Sequence, residues 1–276
     1  MSAVVDQEPD APTQPDTPSP VGQRERAPAA TLWAWMVRYL SMPLFLTLVL
    51  GGLYLWVSGQ ELDSIEARAL TWDNLSTRLF EHIEVSAIAT FFVVLLAVPT
   101  GIVCTRTWAR RIRPLAISLA NVGQAIPSLG LITLFVLLLN IIFPGRWAVI
   151  AGLVAYAFLP ILRNTIAGIE AVDPHLIEAA RGMGMSQGLV LRKIELPLAV
   201  PVMLAGIRVA LILTVGTATL AFLFPGVAAL GQVIQQGFQL QRTPVLVTGA
   251  VLAASLALFV DYIAGIAEDV LKPKGL

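Results

Sequence analysis

Long apolar runs separated by short polar connections set the pattern of this chain. The stretches at about 39–57, 85–104, 115–143, 147–162, 198–223 and 245–263 are almost continuously hydrophobic. A helix needs roughly 20 apolar residues to cross a ~30 Å hydrocarbon core, so each stretch predicts a crossing. The third is interrupted near Pro127, and the fourth is short, ending near Pro160. Val, Ile and Phe are frequent, but the length of the runs and the lack of period-two alternation favour helix over strand. A membrane β-barrel would need many alternating segments of ~10 residues, and none is visible. The expected fold is an all-α integral membrane protein with six transmembrane helices.

Composition supports this. Hydrophobic residues make up 57% of the 276 and charged residues 13%, against about 25% charged in soluble domains. The formal net charge is zero, which gives no reason to expect a nucleic-acid partner; membrane lipid is the expected surrounding. The single cysteine, Cys104, lies inside an apolar run and reads as a small buried side chain. No cofactor or metal site is suggested.

Basic residues orient the spans. With the N-terminus inside, the inner segments hold Arg24, Arg26, Arg38, the cluster Arg106, Arg110, Arg111 and Arg113, then Arg163, Arg181, Arg192, Lys193, Lys272 and Lys274. The outer segments hold Arg68, Arg78, Arg146 and Arg242. The expectation is a multi-pass protein with both termini in the cytoplasm. Residues 1–30 carry Pro9, Pro12, Pro15, Pro18, Pro20 and Pro28 among polar residues, too little apolar surface to offset ordering entropy. They predict a disordered cytoplasmic tail, and with their acidic start no secretory signal is expected. The first span and outer loop then occupy 31–78, and the core occupies 79–276. The connection 58–84 is polar and reads as a solvated loop with room for a short surface helix.

The inner stretch 163–197 contains no span, and a long connection with local structure is usually functional. Asp173 and Pro174 are a helix start, an N-cap oxygen followed by a residue suited to the first turn. Leu176, Ile177, Ala180 and Met183 recur at helical spacing near one face. Gly182 and Gly184 predict the helix end. Ser186 caps a second short helix, QGLVLRKIEL, expected to stop at Pro197. The whole is a compact knob of two short helices joined at a glycine turn.

On those residues a resemblance becomes specific. EAARGMGMSQGLVLRKIELP resembles the coupling motif of ABC importer permeases, EAA-x3-G-x9-I-x-LP, with Glu178, Ala179, Ala180, Gly184, Ile194, Leu196 and Pro197 on the pattern. The resemblance implies a permease-type core with a cytoplasmic coupling helix in the bacterial inner membrane. It implies that the knob docks in a separate ATPase subunit, with Arg181 and Met185 beside the contact. Ala179 and Ala180 would allow close approach, and Glu178 would meet a basic or amide partner. The chain has no G-x-x-x-x-G-K-[ST], so ATP is expected on the partner and the chain itself is expected to be non-catalytic. A second permease chain, the same or a sister, and an extracellular solute-binding protein are implied as further partners. No fused binding domain is expected after the sixth span.

From about Leu79 onward, EHIEVSAIA, NVGQAIPSLG, LPILRNTIAGIEAVDP and LPLAVPVMLAGIRVA are similar to permeases of the osmoprotectant group. That group imports quaternary ammonium solutes such as glycine betaine, choline, carnitine and proline betaine. Where it usually carries GAGGLG, this chain reads FLFPGVAALGQVIQQG, with Pro225 added and Ala228-Ala229 in place of paired glycines. The alternative is an ABC permease for an amino acid such as methionine. A membrane enzyme or proton-coupled carrier would want clustered Asp, His or Cys, or a buried carboxylate, at membrane depth. Only Asp261 comes near.

Candidates for a translocation pathway are Gln124, Pro127, Ser128, Asn140, Tyr156 and Asn164; each could equally satisfy a neighbouring helix through a hydrogen bond. Arg208 lies within the fifth span and reads as a structural or gating charge, bonding backbone carbonyls or snorkelling inward. Asp261 and Glu268 read as solvated at the inner end of the last span, and His82 as lying just outside the second.

Overall fold

The computed structural model describes residues 32–109, 111–139, 141–142, 145–224 and 226–271. The tail at 1–30, Asn140 and Pro225 lie outside them. The chain divides into two compact units, Met1–Leu40 and Ser41–Leu276. The described part of the first is the opening of helix α1 (Leu32–Ser58), and everything below concerns the second.

Among the described residues the secondary structure is entirely helical. After α1 come a short α2 (Ser64–Ala69) and a long α3 (Trp72–Cys104). Then follow α4 (Arg113–Ala125), α5 (Ser128–Leu139) and α6 (Arg146–Glu170). The knob holds α7 (Pro174–Gly182) and α8 (Gln187–Val190), which runs into α9 (Leu196–Ala218). Helix α10 (Leu230–Gln239) and α11 (Thr243–Leu271) complete the bundle. Among the described residues five segments are long and apolar enough to cross a membrane, and the pair α4–α5, bent by 109°, makes a sixth if counted as one.

Packing shows that it is one broken crossing. Helix α4 buries Ala120 against Cys104, Leu159, Leu162 and Ile166, at the late ends of α3 and α6. Helix α5 buries Ile132 against Val85, Val149 and Leu153, at the opposite ends of the same helices. The two halves therefore traverse the bundle in succession. The break has a local cause: Ile126 is extended (φ −75°, ψ 133°), as a residue before proline prefers, and Pro127 has no N–H to continue the ladder. With this pair counted as one, the described residues hold six candidate crossings, as the hydrophobic pattern predicted.

Helix α6 is the axis of the bundle, packed by α3, α4, α5 and α9. It runs unbroken through Pro160 to Glu170, longer than the apolar run suggested. A proline in mid-helix orphans the carbonyl four residues back, here that of Tyr156. The Gln124 side-chain amide on α4 donates to that oxygen at 3.4 Å. Where α6 meets α9 the backbones come close: a Cβ on Gly206 would lie 2.5 Å from Asn164 Cβ and 2.9 Å from the Pro160 oxygen. Small residues at such crossings are how membrane helices gain packing.

Three expectations are corrected. The connection 58–84 is not a solvated loop: Asp63 caps α2 through a reciprocal capping box with Glu66, and α3 starts at Trp72. His82 is therefore not outside the second span but inside α3 and fully buried. Its Nε2 lies 2.9 Å from the Val215 carbonyl of α9. Nor are Asp261 and Glu268 simply solvated: Asp261 takes two hydrogen bonds from Arg208, at 2.5 and 2.9 Å, and Glu268 lies 3.6 Å from the same guanidinium.

Candidate functional site

The knob is built by its caps. The Asp173 carboxylate accepts the His175 N–H at 2.9 Å, and Pro174 opens α7. At the far end Gly184 takes φ +85°, Met185 N–H bonds the Ala180 carbonyl and Gly184 N–H the Arg181 carbonyl. This is a Schellman closure, and it needs glycine at 184 because a side chain would be strained there. Gly182, expected to help end the helix, instead remains its last helical residue. Ser186 caps α8, accepting Leu189 N–H.

The second helix does not stop at Pro197. Leu191–Glu195 form a π turn in which Leu196 N–H bonds the Leu191 carbonyl, five residues back. The widened turn lets α8 pass into α9 with Pro197 in its first turn, where a missing N–H is tolerated. The knob is thus continuous with a membrane span on its C-terminal side. Such π insertions are rare and recur at functional positions.

Its faces are sorted differently from the sequence reading. Ala180 is buried, while Ala179, Glu178, Arg181 and Gly184 are exposed. Only Ala179 of the alanine pair can therefore admit another surface. Leu176 and Met183 are exposed as well, at 49% and 76%, so much of the apolar face of α7 is uncovered. Met185, Ile194 and Leu196 are half-buried, supporting the turn from within, and Pro197 is exposed.

Beneath the knob an ion pair ties it to the bundle. Arg106, just past α3, pairs with Glu195 of the π turn, and also bonds the Thr105 hydroxyl at 2.8 Å. Glu195 is buried. Arg113 at the head of α4 pairs with Glu170 at the foot of α6, and Arg163 donates to Asn121 at 2.7 Å. Sequence reasoning treated these basic residues only as orientation signals. The unspecified position between Ile194 and Leu196 holds the one carboxylate that anchors the turn.

The pathway candidates divide. Gln124 and Tyr156 meet through the amide–carbonyl bond already described, and Pro127 and Ser128 form the break between α4 and α5. Asn164 donates to Pro160 of its own helix at 2.9 Å and presses on Gly206. In the crook of the break lies a cavity of about 460 Å³ whose lining is apolar except for Thr100, with Gly123, Ile126, Leu131, Ala155 and Phe158 among its walls.

Comparison with known proteins agrees with this geometry. Residues 97–273 match the family described as binding-protein-dependent transport system inner membrane component. The choline transport system permease protein OpuBB of Bacillus subtilis is 40% identical over 199 residues, covering 72% of this chain and 89% of that protein. The osmoprotectant import permease protein OsmY of Salmonella typhimurium is 38% identical over 214 residues, covering 78% and 87%. Among solved structures, the inward-facing MetNI methionine ABC transporter superposes with a TM-score of 0.64 at 23% identity, over 72% of this chain and 96% of that one. That likeness concerns the fold alone.

Proposed function

Because the chain belongs to the family of binding-protein-dependent transport system inner membrane components, we propose that it moves quaternary ammonium osmoprotectants such as choline, glycine betaine and carnitine inward across the cytoplasmic membrane. The observation that carries the solute class is the set of relatives named for choline, carnitine and osmoprotectant transport, which cover most of their own length here. The MetNI likeness lies at lower identity and argues only for shared architecture, so an amino-acid solute is less supported.

In this reading α7 docks on a separate ATPase subunit. The uncovered Leu176, Ala179 and Met183 supply an apolar contact, and Glu178 and Arg181 a charged rim. Closure of the ATPase pushes a knob that cannot bend freely, since the π turn continues into α9 and Glu195 is held by Arg106. The force therefore reaches α9 and, through Gly206 and Asn164, α6. One chain offers one such knob, so two ATPases call for a second permease chain, with the pathway between them. The α7 end is cytoplasmic, as are both termini, and an extracellular binding protein delivers the solute at the opposite end.

Uptake of labelled choline, glycine betaine and methionine into proteoliposomes holding the permease with its ATPase and binding protein tests the assignment. Choline or betaine uptake that requires ATP is expected. ATP-dependent methionine uptake without either would replace the solute class and leave the architecture standing.

A further inference from the structure

At the end of the molecule opposite the knob, α2 lies between two cavities of unlike chemistry. The first, of about 370 Å³, is lined by Arg68, Arg242, Asn74 and Gln236 with a few apolar side chains. The second, of about 440 Å³, is a groove between α1 and α11, closed by the corner from α2 into α3. Leu50, Tyr54, Leu75 and Leu252 are among its walls. Val245 of the polar cavity and Thr248 and Leu252 of the groove follow one another along a single face of α11.

The polar cavity has donors to spare. Arg68 spends its Nε on the Ser64 carbonyl at 3.0 Å, which leaves its terminal nitrogens for another acceptor. Arg242 gives one terminal nitrogen to Asp63 at 2.7 Å, while its Nε is buried without a partner. The nearby carboxylates are turned to backbone donors: Asp63 accepts from Ile65 and Glu66 N–H, and Glu66 accepts from Asp63 N–H at 3.0 Å. Asp63 is accordingly held below the ordinary carboxylate range, first by the Glu66 N–H and then by that of Ile65, with Arg242 and Arg68 adding to the effect. Two guanidinium groups facing one cavity suit a phosphate.

The groove suits a hydrocarbon chain. From Leu50 to Ser58 it follows α1 for about 12 Å, most of one leaflet of a ~30 Å core. Exposed Tyr54, Trp56 and Trp72 stand at this end, where aromatic side chains mark the headgroup level. We propose that this rim binds one phospholipid, its phosphate against Arg68 and Arg242 and one acyl chain in the groove between α1 and α11. The lipid then fills a seam that helix-to-helix packing leaves open and fastens α1, whose spanning segment is only 6% buried, to the core.

The test is native mass spectrometry of the detergent-purified full-length permease, titrated with phosphatidylglycerol, with diacylglycerol and with inorganic phosphate. Phosphatidylglycerol is expected to be retained at one per chain, at least roughly tenfold more tightly than diacylglycerol. Arg68→Gln and Arg242→Gln remove the preference for the phosphate, and Leu252→Trp, which fills the groove, weakens both lipids. Arg68 lies on an exposed helix face, so its variant keeps the test alive if Leu252→Trp does not fold; a thermal melt reports which has happened. Retention unchanged in all folded variants overturns the site. Equal binding of inorganic phosphate reduces it to an anion site, and equal binding of diacylglycerol to an apolar groove; either result overturns the phospholipid. The readout is independent of transport, so an error in the solute class does not affect it.

Discussion

The Arg208 guanidinium and the Asp261 carboxylate meet side-on across α9 and α11, in a two-point contact of 2.5 and 2.9 Å. Glu268, two helical turns beyond Asp261, approaches the same guanidinium at 3.6 Å. A charge at membrane depth is tolerated when paired, and a forked arginine contact is the strong form of the pair. About a third of each side chain is exposed, which limits its worth. Arg208→Ala is expected to lower stability by roughly 1–2 kcal/mol, because it removes the two-point contact that holds the Asp261 carboxylate. Asp261→Ala costs less, since Glu268 remains. Thermal unfolding of the single and double variants in detergent checks this; strictly additive losses would show that the two groups are uncoupled.

Close approach of α6 and α9 predicts a contrast between two glycines on one helix. Gly206→Ala drives a methyl into Asn164 Cβ and the Pro160 carbonyl, and is expected to destabilise by about 1–3 kcal/mol. Gly216 has open space around it, and alanine there should be neutral or favourable by up to about 1 kcal/mol through helix propensity. Equal melting temperatures for the two variants would contradict the packing described.

Much of this was legible in the sequence, and the rest has identifiable causes. The six crossings, the break at Pro127 and the knob between Asp173 and Gly184 all follow from local signals: apolar run length, proline and capping residues. The boundaries of α3 and α6 did not. His82 is buried beside the carbonyl of Val215, far along the chain, and the carbonyl that Pro160 leaves without its helical donor is met by Gln124 from another helix. The expected stop at Pro197 failed because a π turn absorbs the missing donor. The Arg208–Asp261 pair had a usable signal, opposite charges within two apolar runs. Arg106 and Glu195 had a weaker one, opposite charges at the same predicted membrane boundary.

The bond between Gln124 and the Tyr156 carbonyl separates a helix-stabilising from a solute-contacting side chain. Gln124→Leu leaves that half-buried carbonyl unpaired and is expected to cost about 1 kcal/mol, less than a strong bond would because 3.4 Å is long. Pro160→Ala restores the backbone donor, so in its presence Gln124→Leu should cost almost nothing. If uptake changes its solute preference in Gln124→Leu while melting is unaltered, the residue contacts solute instead.

Glu195 offers a test of whether the knob is a tethered lever. It is buried in the π turn and paired with Arg106, a quarter of whose side chain is exposed. Glu195→Ala strands that arginine and is expected to cost roughly 2 kcal/mol. Glu195→Gln keeps the shape and a hydrogen bond and should cost about half as much. In the reconstituted complex both variants should still assemble with the ATPase, since the exposed face of α7 is untouched. Solute uptake per ATP hydrolysed should fall in the order wild type, Gln, Ala; an unchanged ratio would mean that the tether carries no force.

The two glycines at the end of α7 make the sharpest prediction. Gly184 has φ +85° with nothing within 4 Å of an added Cβ, so substitution is opposed by backbone conformation alone. Gly184→Ala should cost about 1 kcal/mol, and Gly184→Val more, because a branched side chain is less tolerant of that region. Both disturb the closure formed by Met185 and Gly184 N–H on α7. Gly182 is helical and also unobstructed, so Gly182→Ala should stabilise α7 slightly, by up to about 1 kcal/mol. Solute-stimulated ATPase activity should therefore be kept in Gly182→Ala, reduced in Gly184→Ala and lowest in Gly184→Val. Gly184→Asn discriminates further: asparagine enters the left-handed region more readily than alanine, so it should recover part of the lost activity although it is larger. Loss of activity that tracks side-chain size, with asparagine worse than alanine, would mean that residue 184 touches the ATPase and is not simply a turn.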